Sequence, residues 1–264
     1  MPVMRFVRFV LGCLAACAAH GQGEEIAQAS RQKNDPAEVN ARPVRSRDRD
    51  DPSLLRGVVV VDTAGEHLCT GALIGPRLVL TARRCVSETE SLPARASTDP
   101  HVVLRDAPSE LAIFVASSVV ESELVAYGLA VATPSGAVEP DDLAVVLLDE
   151  AVLAATPVEV RSRGTSVDEV VNAVGFEQPS ARDPTGAKVT HDGLRVSSFS
   201  TTALTLEPPP LFGIRGAALL DAKTSELLGL LPRASGEAGA EHVAIVAGWM
   251  WLVEAARAEL ARNH

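Results

Sequence analysis

The chain predicts an all-β fold, a barrel or a sandwich, and three observations carry that expectation. Short apolar segments recur from Val58 to Val246, separated by Gly, Pro, Asp and Ser. Such spacing marks many short strands joined by turns. The stretch Leu68–Val86 reads L-C-T-G-A-L-I-G-P-R-L-V-L-T-A-R-R-C-V, with apolar runs Ala72–Ile74 and Leu78–Leu80 on either side of Gly75-Pro76. It predicts a β-hairpin flanked by Cys69 and Cys85. Only at the end does the periodicity change: from Trp249 to Leu260 the apolar residues return at helical intervals, which predicts a C-terminal helix.

Taken in order, residues 1–16 carry Arg5 and Arg8 ahead of a short apolar run, Phe9–Ala16. A positive start with so short a run reads as a secretory signal, too short to span a bilayer. Leu14-Ala15-Ala16-Cys17 resembles the bacterial lipoprotein signal, which implies lipidation of Cys17 as the first mature residue. Val10-Leu11-Gly12-Cys13 is a second, weaker instance, and cleavage as an ordinary signal peptide stays open. Residues 17–52 are polar, ending in the alternating run Arg45-Ser46-Arg47-Asp48-Arg49-Asp50-Asp51, and read as a disordered tether. A flexible tether of that length spans roughly 30–35 Å.

The folded part begins near Leu54. Val58–Val61 and the Cys69–Cys85 hairpin lead a first set of strands, continued by Val102–Leu104, Leu111–Val115, Leu124–Val131 and Asp142–Leu148. After Pro157 comes a second set: Val170–Phe176, Leu194–Ser197, Leu204–Leu206, Ala217–Leu220, Leu227–Leu231 and Val243–Val246. No internal repeat and no metal-ligand spacing is present, so no metal and no cofactor is expected.

Charge excludes some partners. The 264 residues carry a formal net charge of -10, and loss of Arg5 and Arg8 makes the mature chain two units more negative. Such a chain has no basic field with which to replace phosphate counterions, so nucleic acid is not an expected partner. Anionic lipid surfaces repel it as well, leaving a lipid anchor as the expected route to a membrane.

The run from Cys69 to Cys85 resembles the first-barrel core of trypsin-like (chymotrypsin-fold, S1 family) serine proteases, where C-x-G-x-L-I…V-L-T-A-x-H-C presents the catalytic histidine just before the second cysteine. The resemblance covers roughly residues 54 to 262. It implies two packed six-stranded antiparallel β-barrels and a C-terminal α-helix. The implied layout is a lipoprotein-type signal at 1–16, a tether at 17–52 and a trypsin-like domain at 53–264. Within that domain the first barrel takes about 53–155, the second about 156–246 and the helix about 247–262. It also implies a Cys69–Cys85 disulfide, whose loop of about 15 residues is worth roughly 3 kcal/mol. Two buried free thiols are the alternative.

The catalytic positions depart from the family. Peptide hydrolysis here needs a hydroxyl nucleophile, a base to take its proton and a carboxylate to orient the base. Asp142, in D-L-A-V, is similar to the family's D-I-A-L, so the carboxylate position is filled. The base position holds Arg84, whose guanidinium stays protonated and accepts no proton. Arg83 offers no rescue for the same reason, and Arg84 is expected to pair with Asp142 in a partly buried fork. Where the family reads G-D-S-G-G-P, this chain reads Gly213-Ile214-Arg215-Gly216-Ala217-Ala218. The oxyanion-region glycine, Gly213, remains, while Arg215 stands for the serine and Ile214 for the aspartate that pairs with a freed N-terminus. No R-I-V-G-G activation sequence precedes Cys69. Pro208–Pro210 and Pro232 fall in the segments that shape the specificity pocket and substrate strand, where proline removes backbone donors. None of the histidines, His20, His67, His101, His191, His242 and His264, sits in a motif with a serine.

The resemblance therefore implies a catalytically degenerate bacterial homologue, a pseudoprotease serving as a binding or scaffolding module for a protein or peptide partner. A monomer is expected, exported either to the outer membrane as a lipoprotein or to the periplasm and beyond. The alternative is a serine-type endopeptidase with a non-standard catalytic set. Arg84 and Arg215 beside the Gly213 backbone also suggest an anion site.

Overall fold

The runs of β-branched and leucine residues form strands throughout the computed structural model, which describes residues 57–63, 67–97, 99–136, 143–179, 185–210, 215–233 and 242–262, with the backbone of Arg42 and Pro43. In chain order the first strands are β1 (Arg42–Pro43), β2 (Val58–Thr63), β3 (His67–Gly75), β4 (Leu78–Ala82), β5 (Ala94–Arg95), β6 (Val102–Asp106), β7 (Leu111–Ala116), β8 (Ser122–Pro134) and β9 (Leu143–Leu148). The later ones are β10 (Val170–Phe176), β11 (Lys188–Phe199), β12 (Ala203–Glu207), β13 (Ala217–Asp221), β14 (Leu227–Leu231) and β15 (His242–Ile245). A 3₁₀ stretch, Arg83–Ser91, follows β4. Another, Val246–Trp249, leads into the helix α1 (Met250–Arg262).

Two rings close. In the first, β2, β3, β4, β9, β8 and β7 pair in turn, and β7 returns to β2. In the second, β10, β11, β12, β15, β14 and β13 pair in turn, and β13 returns to β10. Every pairing is antiparallel, so the molecule consists of two six-stranded antiparallel barrels and a C-terminal helix. Closure leaves few strand edges exposed. Strands β5 and β6 extend the first ring from β8, and β1 lies against β11 with Arg42 opposite Thr190 and Pro43 opposite Val189. Of the stretch expected as a tether, Arg42–Pro43 alone belongs to the described residues. An outer strand tolerates the missing donor of Pro43.

Burial follows the closure. Val58–Val61 are each at most 2% exposed, and Leu143–Leu148 are fully buried. Consecutive buried residues require cover on both faces of a strand. For β9 one face lines the barrel and the other lies under α1, which packs on β8 and β9. The helix turns Leu252, Val253, Ala255 and Ala256 inward. A fully buried leucine contributes about 2 kcal/mol through area removed from water.

The connection between barrels is itself paired. Val158 N–H donates to Leu73 O at 2.7 Å, and Leu73 N–H donates to Gly57 O at 2.7 Å. Just beyond, Leu227 N–H donates to Glu159 O at 2.7 Å and Arg161 N–H to Leu227 O at 3.0 Å. The linker thus runs as an extended strip fixed first to one barrel and then to the other.

Candidate functional site

The hairpin β3–β4 builds one wall. Beyond Ala82 the backbone leaves the extended region and winds through Arg83–Ser91, which brings Cys85 back over β3. There it bonds Cys69, with S–S 2.03 Å and Cα–Cα 6.0 Å. The disulfide implied by the resemblance is present, and the free-thiol alternative falls away. Thr63 Oγ1 donates to Cys85 O at 3.0 Å, tying the turn to β2 as well.

The two arginines before Cys85 part company. Arg83 is 2% exposed, its Nε donating to Glu90 Oε1 at 2.9 Å and its Nη2 to Gly136 O at 3.0 Å. Buried guanidinium requires acceptors, and these supply them. Arg84 is exposed and makes no ion pair among the described residues. Asp142, its expected partner, lies outside those residues. Successive side chains on a 3₁₀ turn diverge by about 120°, so when one of two neighbours faces the core the other turns away. The buried guanidinium of this turn belongs to Arg83, which the sequence reading had set aside.

The second barrel supplies the facing segment. Arg215 and Gly216 lead into β13, and Arg215 O accepts a hydrogen bond from Thr70 N–H at 2.6 Å. Gly216 N–H donates to Leu231 O at 2.7 Å. Thr70 itself is held on every side: Thr81 Oγ1 donates to its carbonyl at 2.9 Å, and Phe176 N–H donates to its Oγ1 at 3.3 Å. Gly216 has φ +89°, and a Cβ there would meet Thr70 O at 1.9 Å. Only glycine permits that approach. Gly213 and Ile214 lie outside the described residues. Arg215 is half-buried, with its Nε among the fully covered atoms.

These links run from one sequence-derived position to another. Arg84 precedes Cys85, Cys85 is bonded to Cys69, and Cys69 precedes Thr70, which holds the backbone of Arg215. The other positions disperse or fall outside. His101 is exposed in a turn, His191 is buried on β11, and His242 is half-buried on β15. For His67 the backbone of β3 is described, and Cys17, His20 and His264 lie outside. Two grooves formed by described residues lie away from both arginines. One of about 710 Å³ runs beside the linker, with Pro157, Val158, Arg161 and Met250 in its walls. The other, about 390 Å³, is lined by His101, Pro134, Ser135, Trp249 and Trp251. No three metal-ligating side chains converge among the described residues.

Sequence reasoning missed two further charged groups. Lys188, 7% exposed, donates from Nζ to Val58 O at 2.7 Å and lies 4.9 Å from the centre of the Phe176 ring. Burial lowers its ammonium pKa to about 7. A lysine opening a strand gives no such signal. Near the linker, Arg161 forks onto Glu169 at 2.5 and 3.1 Å and reaches Asp221 Oδ2 at 3.3 Å. Arg163 bonds the same Asp221 oxygen, while Asp221 Oδ1 accepts from Lys223 N–H at 2.7 Å and Thr224 N–H at 3.0 Å. Burial alone would raise the Asp221 pKa. The two N–H donors, Arg163 and Arg161 outweigh it and hold the carboxyl below its ordinary value.

Similarity to known proteins agrees with this architecture. A scabies mite inactivated protease paralogue superposes with TM-score 0.61 at 16% identity, covering 78% of this chain and 96% of that one. A second paralogue from the mite gives 0.58 at 14% identity, covering 76% and 91%. A Glu endopeptidase gives 0.54 at 18% identity, covering 77% and 91%. Likeness this distant establishes the fold alone, and it extends to an endopeptidase as well as to inactivated paralogues. No curated protein matches in sequence. The family model described as Trypsin matches residues 47–201, more than half of the sequence. The chain belongs to the trypsin family.

Proposed function

We propose that this member of the trypsin family is a pseudoprotease, exported and lipid-anchored through Cys17, that acts as a binding or scaffolding module for a protein or peptide partner. The observation that carries the reading is the backbone frame around Thr70. It holds Arg215 beside the disulfide-bearing hairpin, with Arg84 next to the bridged Cys85. In the family those two positions take the nucleophile and the base. A guanidinium neither attacks a carbonyl nor accepts a proton at ordinary pH. Retention of the frame alongside such side chains favours a surface kept for binding over one kept for hydrolysis.

Fluorophosphonate labelling of the purified mature chain, read by intact mass beside a trypsin control, tests the reading. No adduct is expected. A stoichiometric adduct would overturn it, because only an activated hydroxyl reacts, and mapping would name the nucleophile. For the anchor, intact mass of the membrane-extracted chain is expected to show lipid on Cys17, with Cys17→Ser releasing the protein from the membrane fraction.

A further inference from the structure

We infer that the groove at the start of α1, beside the end of β8, binds a neutral pyranose sugar. The sugar ring stacks on Trp251, and its hydroxyls bond Ser135 and His101. Neither Arg84 nor Arg215 lines this groove, so the inference goes beyond the pseudoprotease reading and stands apart from it. Aromatic residues make up 3% of the 264, and the chain holds two tryptophans. Both lie in this one groove of about 390 Å³, together with His101, Pro134 and Ser135.

Ring geometry narrows the ligand. The Trp249 and Trp251 ring centres are 5.9 Å apart, with planes tilted by 31°. Two faces with a guest between them stand roughly 7 Å apart, twice a contact distance. No guest lies between these rings, which rules out a cage around a cation. The indole N–H groups are not on offer either. Trp251 Nε1 donates to Gly248 O at 3.1 Å, and Trp249 Nε1 is fully covered. A proline-rich peptide carries carbonyl acceptors and few N–H groups, so its groove must supply donors. Here the indoles supply none. What remains is the π surface of Trp251, which is 36% exposed. Such a surface is negative and attracts the weakly positive C–H groups that a pyranose shows on one face.

The polar groups of the groove suit the sugar's other half. Ser135 and His101 are both exposed, and neither the hydroxyl nor the imidazole makes a hydrogen bond among the described residues. A hydroxyl donates and accepts, and an imidazole presents two ring nitrogens, which matches a set of sugar hydroxyls. No carboxylate, lysine or arginine lines the groove among the described residues, and that favours a neutral ligand. The site is also pre-formed. Ser135 N–H donates to His101 O at 2.8 Å, and the buried Arg83 donates from Nη2 to Gly136 O at 3.0 Å. Trp249 packs against the core, and α1 is seated on β8 and β9. A rigid platform loses little freedom on binding.

Because both tryptophans line the groove, intrinsic fluorescence of the mature protein reports on it alone. Cellotriose, tri-N-acetylchitotriose, mannotriose and hexaproline serve as probes, with affinities taken from titration calorimetry. A saturable fluorescence change is expected with at least one of the sugars, at a dissociation constant of about 1 mM or tighter. Trp251→Ala should weaken that binding about tenfold, and Trp251→Phe should recover part of it. Ser135→Ala should weaken it about threefold. Both side chains are exposed, so the melting temperature of each variant should stay at the wild-type value. No saturable binding of any sugar would overturn the inference. So would binding of hexaproline in place of the sugars, or a sugar affinity unchanged in Trp251→Ala and Ser135→Ala. The fluorophosphonate result bears on the cleft and leaves this outcome untouched.

Discussion

Arginines gather in two regions of this molecule, and they are treated oppositely. Near the linker, Arg161 and Arg163 meet Glu169, Asp221 and Glu226, so carboxylates outnumber guanidiniums and each charge is answered. At the cleft, Arg83 is buried against Glu90, while Arg84 stands exposed with no ion pair among the described residues. The first cluster lies largely in the interior: side-chain exposure is 5% for Arg161 and 3% for Asp221. Charges there are tolerable only when paired, because desolvation costs several kcal/mol per ion. In the second region solvent meets that requirement for Arg84. One cluster is answered by carboxylates of its own chain, and in the other Arg84 meets solvent.

The contrast concerns side chains and not backbone, which sets the largest expected effect. Gly216→Ala would place a Cβ 1.9 Å from Thr70 O, at φ +89°. Neither atom has room to retreat, because Thr70 O is also the acceptor of Thr81 Oγ1. A loss of more than about 5 kcal/mol is expected, enough to leave little folded protein. Thermal unfolding followed by circular dichroism measures it. A mild shift would mean that the cleft frame yields, and the picture of a rigid scaffold around Thr70 would fail.

Next in size is Asp221→Ala, which removes the carboxylate shared by Arg161 and Arg163 and leaves Arg161 with Glu169 and the carbonyl of Gly164. A loss of about 3 kcal/mol is expected from the partly unpaired buried charge. The pH dependence follows from the lowered pKa of Asp221. Stability from this group is complete above its unfolded value of about 3.9 and disappears as pH falls through the lower folded value. The wild-type protein should therefore lose stability on that acid limb, and Asp221→Ala should show a shallower loss. Chemical denaturation from pH 2 to pH 7 would show it, and parallel curves for both proteins would mean the cluster contributes nothing.

What could be read from the sequence follows the same division. The barrels were legible because closed sheets demand runs such as Val58–Val61 and Leu78–Leu80, and the hairpin carried its own turn and cysteines. The disulfide was legible only through resemblance, since spacing alone left free thiols open. The frame at Thr70 was hidden: a threonine bonded to β4, β10 and the segment before β13 looks like any strand threonine in the chain. Arg83 and Arg84 could not be told apart either. Which of two adjacent arginines turns inward depends on the 3₁₀ winding after Ala82 and on Gly136 far along the chain, and neither leaves a local trace. The linker cluster was missed for a similar reason, because Arg161, Glu169 and Asp221 meet only once the second barrel closes.

The smallest effect is the most discriminating. If solvent alone answers the Arg84 charge, its removal should cost the fold nothing, and Arg84→Gln is expected to change unfolding free energy by less than about 0.5 kcal/mol. Exposure argues for this, since a solvated guanidinium gives up no desolvation when it is replaced. Arg83→Gln provides the contrast on the neighbouring residue: it takes the guanidinium from Gly136 O and Glu90, leaving Glu90 with the more distant Arg105, and should cost about 2 kcal/mol. The pair belongs in one denaturation experiment, where shared backbone and shared composition cancel. Equal losses would mean that Arg84 is as structural as Arg83, satisfied by a carboxylate of its own chain. The cleft would then resemble the linker, with each guanidinium answered inside the chain.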